Sequence, residues 1–218
     1  EIAMLSIPRD TRTNIRGRRK QEKINHAYAY GGPKLLVQTV KDLLGVDLEY
    51  YVTVDYQAVR EIVDAIGGVE IDVPRRMKYT DLAAKPPLVI DIQPGLQTLD
   101  GEKALQFLRF RSYPEGDLGR VEAQQYFIRE FIKQALQPKN ITKLPRIIKT
   151  YFDYVDTNIP TTAALKAIPS LNSISMDNVK IARLEGETPT INGQSYFIPY
   201  EEKTKQLVNE MFRNFVLK

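Results

Sequence analysis

Residues 50 to 74 impose an order of elements that few architectures accommodate. Tyr50-Tyr51-Val52-Thr53-Val54 is rich in β-branched and aromatic residues and reads as a strand. Asp55 follows as an N-cap, and Val59, Ile62, Val63 and Ile66 share one helical face until Gly67-Gly68 ends the pattern. Val69, Ile71 and Val73 then alternate with acidic residues and stop at Pro74, which predicts a second strand. Strand, helix and strand in this order predict a right-handed crossover between parallel strands, with helices lying over a sheet. The expectation is an α/β chain, three-layer α-β-α, with a central mixed, partly parallel sheet flanked by helices.

The rest of the chain extends that reading. Ile2-Ala3-Met4-Leu5-Ser6-Ile7, closed by Pro8, suits a strand buried on both faces. Pro33 sits at a first helical position, and Leu36, Val40, Leu43 and Leu44 recur at helical spacing up to Gly45. Residues 74 to 98, broken by Pro74, Pro86, Pro87, Pro94 and Gly95, read as a long excursion with one strand at Leu88 to Ile92. Asp100 and Gly101 open a short helix that delivers Arg109-Phe110-Arg111 at its end. A second helix from about Gly119 to Leu136 turns Val121, Gln124 or Gln125, Ile128, Phe131, Ile132 and Ala135 inward, and Pro138 ends it. Further on come a Pro-interrupted helix around Leu144 to Val155, a short helix near Thr162 to Leu171 and a strand at Val179 to Leu184. A last amphipathic helix is expected to bury Leu207, Val208, Met211, Phe212 and Phe215.

Composition narrows the class. With 43% hydrophobic residues and 31 Lys+Arg against 27 Asp+Glu, the 218-residue chain is globular, and its length predicts one domain over 1–218 with a single core. It holds no cysteine and one histidine, which excludes thiolate chemistry, disulfides and a His/Cys zinc site within these residues. No apolar run is long enough to span a bilayer. The start at Glu1, without Met and inside an apparent strand, reads as the beginning of a fragment. Gly-x-Ser-x-Gly, Walker A, Gly-x-Gly-x-x-Gly and His-Glu-x-x-His motifs are all missing, so common hydrolase, NTPase and dinucleotide readings lose their main support.

Three places can carry chemistry. Arg9 stands directly after a strand, where α/β sheets bind ligands. Arg109-x-Arg111 points two guanidinium groups the same way in extended chain. Asp117-x-x-Arg120-x-x-x-Gln124 puts Arg120 and Gln124 on one face at the start of a helix. Arginine pairs bidentately with oxyanions and stays charged, so a convergence of such groups calls for a multiply charged anion such as a diphosphate. A helix N-terminus would add its own donors. Each arginine also has a plain reading as a solvated surface residue. The basic stretch from Arg9 to Lys23 holds seven cations against Asp10 and Glu22, and reads as a solvated or phosphate-steering face. His26 has two readings, a general base or a hydrogen-bonded structural group. The tyrosines Tyr28, Tyr30, Tyr50, Tyr51 and Tyr56 read as core and rim.

Five segments, in order, resemble the LytR-CpsA-Psr family: Leu5-Ser6-Ile7-Pro8-Arg9-Asp10-Thr11, Lys23-Ile24-Asn25-His26-Ala27-Tyr28, Gly67-Gly68-Val69-Glu70-Ile71-Asp72-Val73-Pro74, Leu99-Asp100-Gly101-Glu102-Lys103-Ala104-Leu105 through Arg109-Phe110-Arg111, and Asp117 to Gln125. The resemblance covers roughly Ile2 to Leu136. It implies an extracytoplasmic, membrane-anchored phosphotransferase. Such proteins bind a polyprenyl-diphosphate lipid, its tail in an apolar tunnel beside the sheet, and move the attached glycan phosphate onto a cell-wall acceptor, typically a peptidoglycan hydroxyl. Carried onto this chain, the diphosphate would be held by Arg9, Arg109, Arg111 and Arg120, with Gln124, Lys23 and Asp117 in support. The resemblance further implies Mg²⁺, with metal ligands and a membrane helix upstream of Glu1. One departure is Ala123, where the family usually has a basic residue just before the paired glutamines.

Two other classes compete. A nucleic-acid-binding module would explain the basic stretch but lacks a recognition helix or stacking-aromatic motif, so the expected partners include no nucleic acid. A non-catalytic scaffold of the same fold would bind polyprenyl diphosphate without turning it over.

Overall fold

The computed structural model describes residues 2–84, 87–114, 117–151 and 155–217, with the side chains of 117, 118 and 149–151 outside the described set. It divides into two compact units, one of Glu1–Tyr51 with Ser175–Lys218 and one of Val52–Ile174.

In the first unit the strand Ile2–Ser6 pairs in parallel with Val179–Arg183, Ile2 opposite Val179 and Ser6 opposite Arg183. All five residues of Ile2–Ser6 are half-buried, not enclosed on both faces as their apolar run suggests. The basic stretch contains a short hairpin, Arg12–Thr13 against Glu22–Lys23, folded over a buried Ile15. The helix Asn25–Leu44 starts eight residues before Pro33. Gly31 and Gly32 leave helical geometry, Gly32 at φ 65°, and Pro33 opens the second segment, the position its fixed φ suits. Gly45, at φ 66°, caps that segment through its N–H to the Lys41 carbonyl. In the last helix, Glu201–Phe212, Val208 and Thr204 are buried, whereas Phe215 lies in a following 3-10 turn and is 58% exposed. The inward face of this helix is therefore narrower than its apolar spacing predicts.

In the second unit Val69–Val73 pairs antiparallel with Gly95–Leu99, Met77–Asp81 pairs antiparallel with Leu88–Ile92, and Val52–Thr53 pairs antiparallel with Asp156–Thr157. The parallel crossover expected between residues 50–54 and 69–73 is thus replaced by antiparallel partners. Burial shows why: Val69, Ile71 and Val73 are buried while Glu70 and Asp72 are exposed, the alternation of a sheet covered on one face. The excursion after Pro74 carries three strands where one was expected.

The flanking helices form where their caps predict. The Asp55 carboxylate accepts from the Ala58 N–H at 2.7 Å to start Tyr56–Ile66, and Asp100 accepts from Lys103 N–H at 2.8 Å to start Gly101–Arg109. These two helices meet at Gly101, whose N–H donates to Asp64 Oδ1 at 2.7 Å and whose hydrogen faces the Arg60 carbonyl so closely that a Cβ would overlap it. Val63, Ile71, Met77, Ile92, Phe107 and Phe127 belong to the core of this unit. The helix Asp117–Ala135 reaches that core through Phe127, with Ala123, Tyr126 and Phe131 beside it, a stripe rotated from the one its periodicity suggests. The chain is an α/β protein with parallel and antiparallel pairs, each ladder two-stranded among the described residues.

Candidate functional site

Arg9 is presented by backbone that is tied down on both sides. Pro8 O accepts from the Thr11 N–H at 3.0 Å and from the Thr11 hydroxyl at 2.6 Å, and Thr11 is fully buried. Arg9 O accepts from Asn25 N–H, Thr11 O from Ile24 N–H, and Asp10 O from Phe197 N–H, while Arg12 N–H donates to Phe197 O. From this rigid turn the Arg9 side chain stands 63% exposed, its Nε 3.7 Å from Asp10. Lys23 Nζ lies 3.0 Å from the same carboxylate. Two cations share one anion, so Arg9 and Lys23 leave a net positive charge for a ligand.

Other cations of the basic stretch are already matched. Arg16 grips Asp42 with two bonds at 2.8 and 2.9 Å, which holds the Asp42 carboxyl below its usual range. Glu22 accepts from Tyr30 Oη at 2.6 Å and Arg18 Nε at 2.8 Å and meets His26 Nδ1 at 3.1 Å; together they hold its carboxyl down to about 2. Arg18 also lies 4.5 Å from the centre of the Tyr30 ring. His26 is therefore a hydrogen-bonded member of this cluster. No motif marks the hub, though the Glu22, His26 and Tyr30 spacing of four places two of its contacts along one helical edge. Tyr28, Tyr30, Tyr50 and Tyr56 are all more than two fifths exposed and form rim, not core.

In the second unit Arg109 closes the helix Gly101–Arg109, and Phe110 leaves it in extended conformation. The Phe110 side chain is buried, packing edge-on against Tyr113 with ring centres 4.9 Å apart. Arg109 is still helical and half-buried, so the extended-chain alternation expected to point Arg109 and Arg111 the same way does not apply to this pair. Arg109 lies 4.7 Å from the centre of the Tyr56 ring, a cation–π contact that positions the guanidinium without neutralising it. Arg111 is exposed and makes no ion pair among the described residues. Gln124 Nε2 donates to Leu108 O at 3.2 Å, which fixes the helix Asp117–Ala135 beside the Arg109 end of its neighbour. Arg120 is one turn before Gln124 on that helix, on the same face. Asp117 begins the helix; its side chain lies outside the described set. The structure thus places Arg9 and Lys23 about one carboxylate in one unit, and Arg109 at the helix end beside which Gln124 is held in the other.

A family model described as the LytR_cpsA_psr family matches residues 1–213. The chain belongs to the LytR-CpsA-Psr family. Within that family it is 32% identical over 209 residues to the polyisoprenyl-teichoic acid–peptidoglycan teichoic acid transferase TagU of Bacillus subtilis, covering 95% of this chain and 65% of TagU. The crystal structure of B. subtilis TagV superposes with a TM-score of 0.81 at 29% identity, over 96% of this chain and 82% of TagV. A structure of TagT bound to LI-WTA superposes with a TM-score of 0.73 at 27% identity, over 96% of this chain and 78% of TagT. The chain spans about two thirds of the length of TagU.

Among the described residues no group of three or more His, Asp or Glu side chains is placed to hold a metal ion. No described helix is long and apolar enough to cross a membrane. Ala123, the departure from the family's basic residue, packs half-buried against the core around Phe127.

Proposed function

We propose that this chain is the catalytic part of a phosphotransferase that moves a glycan phosphate from a polyprenyl-diphosphate lipid to a cell-wall acceptor such as a peptidoglycan hydroxyl, at the extracytoplasmic face of a bacterial membrane. The observation that carries the reading is how the cations sort. Arg16 and Arg18 are matched by carboxylates, whereas Arg9 shares one carboxylate with Lys23, Arg109 rests on an aromatic ring, and Arg111 has no ion pair among the described residues. Arg9, Arg109 and Arg111 are three of the positions that the family resemblance assigns to the diphosphate, and each keeps positive charge that a ligand can meet. The name of TagU, a polyisoprenyl-teichoic acid–peptidoglycan transferase, supports the same donor and acceptor classes.

The chemistry assigned to these residues is positioning and charge stabilisation. An acceptor hydroxyl attacks in line at the phosphorus bearing the glycan, the new P–O bond forms, the bond to polyprenyl phosphate breaks, and the hydroxyl proton passes to the departing phosphate or to water. Arg9, Arg109, Arg111 and Arg120 bind the diphosphate oxygens and stabilise the charge that grows on the leaving group. Gln124, Lys23 and Asp117 support them, Gln124 by holding its helix against Leu108. A divalent cation belongs to the family expectation; the steps here are assigned to the chain's own groups.

The test is turnover: a polyprenyl-diphosphate-linked glycan and peptidoglycan are incubated with the full-length protein, and released polyprenyl phosphate is measured. Arg109→Ala should cut the rate by about 100-fold or more, equivalent to roughly 3 kcal/mol of transition-state stabilisation. A wild-type protein that retains the lipid but never releases polyprenyl phosphate, with or without added Mg²⁺, would establish the scaffold alternative instead.

A further inference from the structure

Residues 131–174, all within the second unit, hold six Lys and Arg against two Asp, while the rest of the chain holds 25 charges of each sign. This one stretch therefore accounts for the whole net charge of +4. From 131 to 152 it has five cations and no acidic residue. None of its cations belongs to the set proposed for the diphosphate.

The stretch carries three short helices, Pro138–Ile141, Leu144–Tyr151 and Thr161–Leu171, the last two packed on each other. The first is pinned from within: Asn140 is fully buried, its Nδ2 donates to Gln134 O at 2.9 Å, and Ile141 beside it is buried. Ile147 packs the second helix against the core around Phe127. The cations thus stand on anchored backbone. Lys133 is matched by Glu130 at 3.3 Å. Lys139, Lys143, Arg146 and Lys166 are exposed, and none of the four makes an ion pair among the described residues. Like charges left together repel, and an anionic partner relieves them.

The apolar residues beside them indicate what kind of anion. No residue of the helix Thr161–Leu171 is buried; Leu165, Ile168 and Leu171 are only half-covered. Pro138 and Pro145 are exposed between the cations of the first two helices. A polyanionic polymer in water would need the charges alone. Cations interleaved with part-covered apolar side chains match a bilayer surface, where anionic headgroups lie over hydrocarbon.

We propose that these three helices form a face that rests on the anionic phospholipid headgroups of a bilayer, with Lys139, Lys143, Arg146 and Lys166 as its charged contacts. The proposal deepens the transferase reading, whose lipid substrate lies in a bilayer, and takes its biological sense from it; the binding itself rests on the charge and the apolar cover. The experiment is co-sedimentation of the whole chain with vesicles free of polyprenyl lipid, made of phosphatidylcholine alone or with about a third of phosphatidylglycerol. Wild type should adhere to the anionic vesicles, less so as salt is raised, and not to the neutral ones. Combined Lys139→Gln, Lys143→Gln and Arg146→Gln should weaken that binding by about 100-fold, roughly fivefold for each charge removed. Lys139→Arg, Lys143→Arg and Arg146→Lys together keep every charge and should bind as wild type does. Combined Arg19→Gln, Lys20→Gln and Lys34→Gln, which takes three exposed charges from the first unit, should stay close to wild type. Equal binding to both kinds of vesicle, or equal losses in the two glutamine variants, would overturn the proposal. Binding of soluble polyphosphate through Lys139, Lys143 and Arg146, with none of vesicles, would overturn it in favour of a polyanionic polymer. Turnover of detergent-solubilised polyprenyl-diphosphate substrate is read on the same samples. Turnover without vesicle binding overturns the face and leaves the transferase reading, whereas vesicle binding without turnover overturns the transferase reading and leaves the face.

Discussion

Tyr113 carries a phenol hydroxyl buried without a hydrogen-bond partner among the described residues, and burial makes it a weaker acid, pushing its pKa up to about 12 against the opposing pull of Arg75. Replacing it by Phe removes an unsatisfied group and keeps the ring against Phe110. Tyr113→Phe should therefore hold or gain stability, by about 1 kcal/mol, in urea unfolding; a loss of that size would show that the hydroxyl has a partner in solution. Glu22 makes the opposite case. Its folded value, about 2, lies below the usual 4.5, so its contribution is complete above the ordinary carboxylate range and disappears as pH falls through about 2. Glu22→Gln should be less stable than wild type near neutrality, with the gap closing as pH falls from about 4.5 towards 2; a gap independent of pH would contradict the ion-pair account. That Arg9 and Arg111 stand exposed was legible in the sequence, because each follows the end of a predicted strand or helix. The Glu22 hub was not, since it depends on side chains that only the folded chain brings near.

The pair of helices joined at Gly101 sets where Arg109 stands. Any side chain at Gly101 would enter the Arg60 carbonyl, and the Gly101 N–H is held by Asp64. Gly101→Ala should destabilise the second unit by about 3 kcal/mol, an overpacking penalty at a backbone contact that cannot rotate away. Thermal unfolding monitored by circular dichroism measures it, and an unchanged melting temperature would mean that the helices separate at little cost. At this scale caps were the readable signal: Asp55 and Asp100 predict their helices to within a residue. Strand partners were not readable. Val69, Ile71 and Val73 announce a strand with one buried face, yet nothing local states whether its neighbour runs parallel, and Gly95–Leu99 turns out to run antiparallel. The helix Asp117–Ala135 defeats periodicity for another reason. Tyr126-Phe127-Ile128 and Phe131-Ile132 put apolar residues side by side, so several stripes fit and packing of Phe127 chooses among them.

For the whole molecule, a net charge of +4 is a poor guide to function, because its cations differ in how far the fold has already matched them. Those gripped by carboxylates stabilise the surface, and those left over are the ones a ligand can meet. The direct measurement is mass spectrometry of lipid co-purifying with the full-length protein, comparing wild type, Arg109→Ala with Arg111→Ala, and Arg19→Ala with Lys20→Ala, which removes the same charge from the exposed tip of the basic stretch. Wild type and the second double variant should carry a polyprenyl phosphate or diphosphate mass, and the first should lose it while keeping its melting temperature. Lipid retained at the wild-type level without Arg109 and Arg111, or lost equally from both double variants, would contradict the account.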